Sequence, residues 1–268
     1  MRIINVFYHT VSDLPLSHIE PLYHPKNIKQ FRSDLKYLLK HYKAVSADDL
    51  LKYTKGELLI EKPSFHLSFD DGLREVYDVV LPILQEYGIP ATVFVNSAFV
   101  DNKELFFRHR EALAISRNEA AINEDEAEEF LKTAQPYLTI EELRTLQTKG
   151  FTIGAHSVSH PDYQKISLDE AVRQTLDSCN YVKENFGEKN IFFSFPFSEA
   201  GFASQEGLNK RFYERISGTV DLTFGISGIM QRGCHFGRID LERSGFWCYS
   251  ARMAVNRARL AARIKGKN

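Results

Sequence analysis

Six short apolar segments, separated by stretches with helical periodicity, constrain the fold of this chain more than any other feature. They cover residues 3–8, 66–69, 91–95, 151–154, 191–195 and 223–226. Runs of this length are typical of buried strands, and strands that alternate with helices form parallel sheets. The chain has 268 residues, a length at which α/β barrels commonly form one domain. The pattern therefore predicts a single α/β domain, residues 1–268, around a parallel sheet.

The second of these segments ends in two adjacent carboxylates. Phe65, Leu67 and Phe69 alternate with polar residues, as in an extended strand, and an Asp-Gly turn follows. Neighbouring side chains of an extended chain point to opposite sides. Asp70 and Asp71 can therefore serve one site in two roles, one binding a metal and the other facing a substrate.

Two histidines follow the fourth segment. His156 and His160 are four residues apart, but Pro161 disfavours a helix at His160, so we expect a loop that folds back on itself. One aspartate and two histidines leave the coordination shell of a metal open, as in catalytic zinc sites, where water takes the free position. A second carboxylate beside such a metal is a natural general base. Together the two stretches indicate a catalytic metal site.

The same two stretches resemble the first two motifs of the polysaccharide deacetylases, the NodB-homology group of carbohydrate esterases. Residues 68–72, Ser-Phe-Asp-Asp-Gly, are similar to the first motif, and residues 156–161, His-Ser-Val-Ser-His-Pro, are similar to the second. Residues 87–94 resemble the segment that follows the first motif. The resemblance extends from about Phe7 to Asp240. It implies a distorted (β/α) barrel of about seven parallel strands.

The resemblance also implies an activity and a set of roles. Members of this family remove N-acetyl groups from amino sugars, so the expected partner is an N-acetylated carbohydrate, either a poly- or oligosaccharide or a lipid-linked glycan precursor. By this resemblance Asp70 would be the catalytic base. A divalent metal, with zinc as the expected ion, would bind Asp71, His156 and His160.

One motif departs from the family pattern. Pro196 and Phe197 follow the fifth apolar segment, where the third motif of the family reads Arg-x-Pro and then an aromatic residue, but Ser194 stands in place of the arginine. In the family this arginine holds the base aspartate, and the residue after proline donates a backbone N–H to the oxyanion. Phe197 retains that N–H, next to Pro196 on the substrate side. We expect Arg238 to replace the missing cation.

Two further histidines are candidates for site roles. The general acid of the family is a late histidine in a Leu-x-His context, which is absent here; His235 is the candidate for this role, with Arg238 and Asp240 shaping the site as the alternative. His9 follows the first segment, at a strand end where such barrels place function, and Tyr8-His9 resembles the opening of one branch of the family. His9 is therefore a candidate for a contact with substrate or with another site residue, and the competing interpretation is a hydrogen-bonded structural histidine.

Two segments lie outside the repeating pattern. Residues 101–138 include an acidic, helix-prone stretch, which predicts a helical insertion: either a solvated hairpin or a lid that lines the cleft through Phe106, Phe107 and His109. Residues 250–268 predict a basic helix with apolar residues among its arginines. Such a helix either docks on the domain or associates weakly with an anionic membrane surface.

Composition and the lengths of the apolar runs bear on the partners and the location of the protein. The chain is 43% hydrophobic and 26% charged, with a net charge of −1; a nucleic-acid partner would favour a basic surface, so none is expected. The apolar run in residues 1–9 is too short for a secretion signal, and no stretch approaches the roughly 20 apolar residues of a membrane span. We therefore expect a cytoplasmic protein that meets its sugar during glycan assembly. The sequence does not indicate an oligomeric state.

The sequence leaves three alternatives to sugar deacetylation open. Two histidines and one carboxylate also form the facial triad of non-haem iron oxygenases. A second alternative is a C–N hydrolase that acts on another amide. The third is a catalytically impaired sugar-binding module, because the arginine of the third motif is missing.

Overall fold

A curled, mostly parallel sheet with helices around it forms the frame of the molecule, as the alternating pattern predicts. The computed structural model describes residues 3–199, 206–242 and 250–265. The strands are β1 (Ile3–Tyr8), β2 (Lys43–Ala44), β3 (Ser64–Phe69), β4 (Ala91–Val95), β5 (Thr152–Ala155), β6 (Phe192–Ser194), β7 (Leu222–Gly225), β8 (Gln231–Arg232), β9 (His235–Gly237) and β10 (Ile239–Asp240). The helices are α1 (Ile28–His41), α2 (Ala47–Thr54), α3 (Leu81–Tyr87), α4 (Phe107–Arg117), α5 (Glu124–Ala134), α6 (Ile140–Thr148), α7 (Leu168–Phe186), α8 (Glu206–Ile216) and α9 (Ala251–Lys265).

The sheet is a distorted (β/α) barrel. Its strand order is β10-β1-β3-β4-β5-β6-β7-β9-β8, and β2 adds to β3. Seven longer strands run parallel to one another, and among the described strands only β8 pairs in the antiparallel direction, with β9. The predicted barrel of about seven parallel strands is therefore confirmed. Parallel strands end at one edge of the sheet, so the polar residues that follow them are gathered there.

Two apolar layers result from the alternation of side chains along the strands. One set fills the interior of the barrel, where Phe94, Phe192, Phe224 and Phe236 pack together, and α2 joins this cluster. The other set faces outwards and packs against helices such as α1, α6 and α7. Ile3, at the start of β1, also belongs to the interior cluster. Apolar packing therefore fills the end of the barrel where the strands begin, and the opposite end is left for the site.

The helix that follows β3 is interrupted, as its proline predicts. Residues 76–80 form a turn of π-helix, and α3 begins directly after it with Pro82 in its first turn. Proline has no N–H to donate, so it fits the first turn of a helix and not its interior. Helix α6 begins with a reciprocal cap: Thr139 accepts a hydrogen bond from the N–H of Glu142, and the Glu142 carboxylate accepts the N–H of Thr139.

The insertion is a pair of helices, α4 and α5, between β4 and α6. They share a small apolar cluster of Leu113, Ala114, Ile122, Ala127 and Phe130. At its start Phe106 and His109 are buried towards the strand ends, whereas Phe107 is 50% exposed. The tip of the hairpin is solvated, and its first turn belongs to the wall of the cavity described below.

Helix α9 docks on the barrel through a buried carboxylate of α1. The first N–H of the helix, from Ala251, donates to Asp34 Oδ1 at 2.6 Å. The other oxygen of Asp34 accepts from Lys26 Nζ at 2.6 Å and from the Tyr8 hydroxyl at 3.1 Å. An acid at the N-terminal end of a helix is favourable because the unpaired N–H groups are there.

Among the described residues, no helix is both long and apolar enough to cross a bilayer.

Acid should destabilise this fold through His18, which lies against His109 and Phe130. Burial lowers the pKa of His18 to about 4, so the folded state prefers the neutral ring. This stabilisation is present above pH 6.5, the ordinary histidine value, and is lost as the pH falls from 6.5 towards 4. At pH 5 we expect a loss of ~2 kcal/mol. Urea unfolding at pH 7 and pH 5 measures it.

The change between these two pH values should be smaller in His18→Gln than in the wild type. The matched control is His24→Gln, which removes an exposed histidine from the same loop. If His18→Gln and His24→Gln both retain the full loss of stability at pH 5, burial of His18 is not its cause.

Candidate active site

A cavity of about 500 Å³ lies at the carboxyl ends of the strands. Phe7, Tyr23, Phe106, Phe195 and Phe197 form apolar parts of its wall, and Arg108 enters beside Phe197, with the guanidinium carbon 5.8 Å from the ring centre. The acidic groups and imidazoles that line it are His9, Asp70, Asp71, His109, His156, His160, Asp240 and Glu242. Such a concentration of titratable groups in one apolar-walled cleft is typical of an active site.

The two adjacent aspartates reach this cavity because the chain turns between them. Asp70 directly follows β3, and its N–H donates to the carbonyl of Tyr8 at 3.0 Å. Asp71 and Gly72 then adopt left-handed backbone angles, with φ of 69° and 63°. A side chain at Gly72 would also lie 3.1 Å from Val95. The sequence predicted opposite orientations from an extended chain; instead, the left-handed turn brings both carboxylates to one cavity.

The histidine loop is held by side chains from two neighbouring elements. Ser157 Oγ accepts the N–H of His160 at 3.0 Å, which closes the loop as predicted from Pro161. Gln174, on α7, accepts the N–H groups of Val158 and Ser159 at 2.9 and 3.1 Å. His160 lies between two phenyl rings, Phe106 and Phe197, each with its centre 4.6 Å from the imidazole centre. The loop therefore presents both imidazoles in fixed positions.

Asp71, His156 and His160 fit a divalent metal. Asp71 Oδ1 lies 3.4 Å from His156 Nε2 and 3.3 Å from His160 Nε2, and the possible ligand atoms lie within 4.8 Å of one another. Asp71 Oδ1 is buried and has no hydrogen-bond partner in the described part of the chain. An unpaired buried carboxylate oxygen is costly, so a cation between these atoms would complete the site.

The protonation of these ligands also suits a metal. His156 Nδ1 lies 2.8 Å from the carbonyl of Ser194, which can only accept, so Nδ1 is the donor and the ring turns Nε2 towards Asp71. Burial favours a neutral Asp71, but His160 and His156 outweigh it and hold the pKa of Asp71 well below its usual range. Burial lowers the pKa of His160 to about 4. The Asp71 carboxylate therefore lies between two imidazoles. One is His160, whose neutral form is favoured, and the other is His156, which turns Nε2 towards the carboxylate.

Asp70 is held by Arg238. The guanidinium donates from Nη1 to Oδ1 at 2.8 Å and from Nη2 to Oδ2 at 2.7 Å. The same group donates to the hydroxyls of Ser68 at 3.0 Å and Ser194 at 2.7 Å. Arg238 is completely buried, with its guanidinium carbon 4.3 Å from the Phe7 ring centre. Burial raises the pKa of Asp70, but Arg238 outweighs it and the net shift is downward.

The expected contact between Arg238 and Asp70 is thus present in the structure. Ser194, which stands where the family has its arginine, accepts a hydrogen bond from the replacement cation. Its backbone carbonyl also orients His156, so Ser194 connects the carboxylate pair to the histidine loop.

Phe197 lies on the wall of the cavity, in the turn that follows β6. Its backbone is left-handed, with φ of 54°, and its ring packs on His160. Pro196, which was also expected on the substrate side, is not among the residues that line the cavity. The turn therefore presents Phe197 to the cavity and leaves Pro196 behind it.

His9 lines the cavity and is paired with Glu242. Its Nδ1 lies 2.6 Å from Glu242 Oε2, and its backbone N–H donates to the same oxygen at 2.8 Å. Burial lowers the pKa of His9, but Glu242 outweighs it and raises this pKa to about 10. Burial raises the pKa of Glu242. With Nδ1 turned to a carboxylate, Nε2 of His9 is left for another partner, as in histidines that transfer protons.

His235 does not reach the cavity. Side chains alternate across a strand, and because Arg238 and Phe236 point into the barrel, His235 points outwards. There Nδ1 of His235 lies 2.9 Å from Thr223 Oγ1, and the ring packs near Phe195. The expected role of His235 as general acid therefore has no geometric support, while Asp240, the alternative, does line the cavity.

Glu242 is the main site residue that sequence reasoning missed. It follows β10, which has two residues, too few to show the alternation of a strand. Its place in the sequence could have indicated a site residue: Asp240 and Glu242 each follow an apolar residue, two positions apart, late in the chain.

Fold and site together define an α/β barrel with an Asp-His-His cluster that could hold a metal at the ends of its parallel strands. A family model described as "Polysaccharide deacetylase" matches residues 60–211, more than half of the chain. The protein belongs to the polysaccharide deacetylase family. It is also 20% identical over 148 residues to YxkH of Bacillus subtilis (strain 168), whose own assignment to the polysaccharide deacetylases is provisional. The match covers 55% of this chain and 42% of YxkH, so it spans less than half of that relative.

Solved structures with this fold include several deacetylases. The Streptococcus pyogenes deacetylase PplD, in complex with acetate, has a TM-score of 0.67 at 16% identity, and the match covers 97% of both chains. A de-N-acetylase from Aggregatibacter actinomycetemcomitans gives 0.64 at 17% identity, covering 94% of this chain and 98% of that one. IcaB from Ammonifex degensii gives 0.62 at 18%, with 88% and 90% covered. At these identities the likeness establishes the fold.

Proposed function

We propose that this protein hydrolyses the N-acetyl group of an amino sugar in a poly- or oligosaccharide or in a lipid-linked glycan precursor. One observation carries the proposal: an unpaired carboxylate oxygen of Asp71 lies between two imidazole nitrogens, and a second carboxylate, Asp70, lines the same cavity. The names of two structural neighbours, a deacetylase in complex with acetate and a de-N-acetylase, support the same reaction class.

Zinc is the proposed ion, held by Asp71, His156 and His160. One oxygen and two nitrogen ligands with open positions are typical of catalytic zinc. When bound, such an ion lowers the pKa of water and polarises a carbonyl oxygen.

Asp70 is proposed as the base. The two hydrogen bonds from Arg238 fix both carboxylate oxygens and favour the ionised form. The attacking water gives its proton to Asp70 as its oxygen bonds to the acetyl carbon. The backbone N–H of Phe197 is proposed to donate to the oxyanion, a preorganised contribution that costs no rearrangement during the reaction.

Breaking the C–N bond requires a proton for the departing amine. His9 is proposed to supply it from Nε2, with Glu242 accepting the Nδ1 hydrogen and stabilising the charged ring. The products are acetate and the free amino sugar, with one water consumed. This assignment replaces His235, whose ring faces away from the cavity.

Substitution of His9 should separate these two candidates for the acid. His9→Gln should lower kcat about 10²–10⁴-fold, the usual contribution of a positioned proton donor, with a smaller change in KM. His235→Gln, a matched change on the outer face of the sheet, should leave kcat within a few-fold. A larger loss in His235→Gln than in His9→Gln, at equal thermal stability, would reverse the assignment.

An acetate-release assay tests the proposed function itself. The purified chain, loaded in turn with zinc, manganese or cobalt, is offered N-acetylglucosamine oligomers and simple N-acetyl amides. Acetate from the sugars and not from the amides supports the proposal, and the reverse supports a different C–N hydrolase. Sugar binding without acetate under any metal would support the impaired binding module. A parallel sample loaded with ferrous iron and given an oxoacid tests the iron oxygenase, which oxygen consumption would indicate.

A further inference from the structure

Helix α9 has two apolar faces, and only one of them is used by the fold. Ala251 and Val255 are completely buried, and Ala254 and Ala258 pack beside them on the barrel. On the other side Met253, Leu260 and Ile264 are 54%, 60% and 58% exposed. Their spacings of seven and four residues place all three in one row along the helix, opposite the docked residues. This exposed stripe has no partner among the described residues.

Positive charge accompanies the exposed stripe. Arg252, Arg259 and Arg263 repeat the same spacing of seven and four residues, so they form a second row beside the stripe. Arg259 is turned towards the domain, with its guanidinium carbon 5.6 Å from the ring centre of Tyr42, directly after α1. Residues 251–265 contain no aspartate or glutamate. The neighbouring α1 exposes Lys36 and Lys40, and its single carboxylate, Asp34, is buried against the start of α9. The surface is therefore basic along its whole length.

We propose that this face of α9 binds the surface of an anionic membrane, with Met253, Leu260 and Ile264 entering the interface and Arg252 and Arg263 contacting lipid headgroups. An apolar row flanked by basic residues is the arrangement of helices that lie in the plane of a bilayer. Nucleic acid would explain the arginines and not the apolar row. None of the α9 residues lines the cavity, and the inference stands whether or not the proposed reaction is correct.

Flotation of the full-length protein with vesicles tests the proposal. Vesicles of phosphatidylcholine with phosphatidylglycerol should bind the protein at low salt, and vesicles of phosphatidylcholine alone should bind it much less. Binding should weaken at high salt, since each basic residue near the surface loses its attraction through screening. Arg252→Gln/Arg263→Gln should weaken binding roughly fivefold for each arginine removed. Met253→Ser/Leu260→Ser/Ile264→Ser should weaken it at least about tenfold.

Matched controls separate the stripe from general surface properties. Leu14→Ser/Leu59→Ser/Ile115→Ser removes three exposed apolar residues elsewhere, at 76%, 73% and 65% exposure, and should bind as the wild type does. Lys55→Gln/Lys149→Gln removes two exposed charges elsewhere and should also have no effect. The proposal is overturned if the wild type does not bind anionic vesicles at low salt, or if the stripe variant binds as well as its control. Equal binding to neutral vesicles, or tighter binding to a DNA duplex than to vesicles, would also overturn it.

Discussion

Asp70→Asn should lower turnover by about 10²–10⁴-fold and leave the metal bound, because an amide cannot accept the proton of the attacking water. Asp71→Ala should have the opposite signature: it removes a ligand, so the metal itself should be lost. Metal content after dialysis and acetate release, measured on both variants, give the two readouts. Asp70 and Asp71 are neighbours in the chain, so the contrast tests the separate roles that we propose for them.

The control for this pair is Asp177→Asn, an exposed carboxylate on α7, which should retain both metal and turnover. A fully active Asp70→Asn would remove the assignment of the base. An Asp71→Ala protein that still holds one equivalent of metal would remove the proposed ligand set. Asp70→Asn also leaves the buried Arg238 without its carboxylate, so each assay should be run below the unfolding temperature of the variant.

An arginine at position 194, where the family has it, should restore part of the stability and turnover that Arg238→Ala removes. Arg238→Ala leaves the Asp70 carboxylate buried and unpaired, and breaking one partner of a buried pair costs about 3–5 kcal/mol. Turnover should fall together with stability, because Asp70 loses both hydrogen bonds from the guanidinium that orients it. The double variant Ser194→Arg/Arg238→Ala places a guanidinium where Ser194 already accepts from Arg238 at 2.7 Å.

Thermal unfolding and acetate release on the single and double variants measure this effect. Arg238→Lys should recover less than the double variant, since an ammonium cannot make the two parallel hydrogen bonds. Arg144→Ala, which removes an exposed arginine paired with Glu141, should change neither quantity. An Arg238→Ala protein with normal stability and turnover would show that this cation does not support Asp70.

The parts of the site that could be predicted from the sequence are those with local signals. Strand alternation, the Asp-Gly turn and Pro161 placed both motifs at strand ends, and the helix caps at Thr139 and Ser167 are local pairs. The contact between Arg238 and Asp70 joins residues 168 positions apart. It could be anticipated because a cation was missing at Ser194, but its geometry required the register of the sheet.

The site features that could not be predicted correctly, the orientation of His235 and the pairing of His9 with Glu242, also depend on the register of the sheet. A shift of one residue along a strand moves a side chain to the other face of the sheet, and this decides that Arg238 faces the barrel interior and His235 the outside. The pairing of His9 with Glu242 depends on β10, a two-residue strand that lies beside β1 from the far end of the chain. Short strands carry too little pattern to be found before the sheet is known.

Four residues that shape the cavity, Asp71, Ser157, His160 and Phe197, hold their backbone in the left-handed region, with φ between 54° and 69°. Such a conformation costs a residue with a side chain roughly 1–3 kcal/mol. In a relative that no longer performs the reaction, nothing would maintain this strain, and glycine or asparagine would be tolerated there at once. The residues found at these four positions should therefore distinguish active from inactive relatives better than overall identity does.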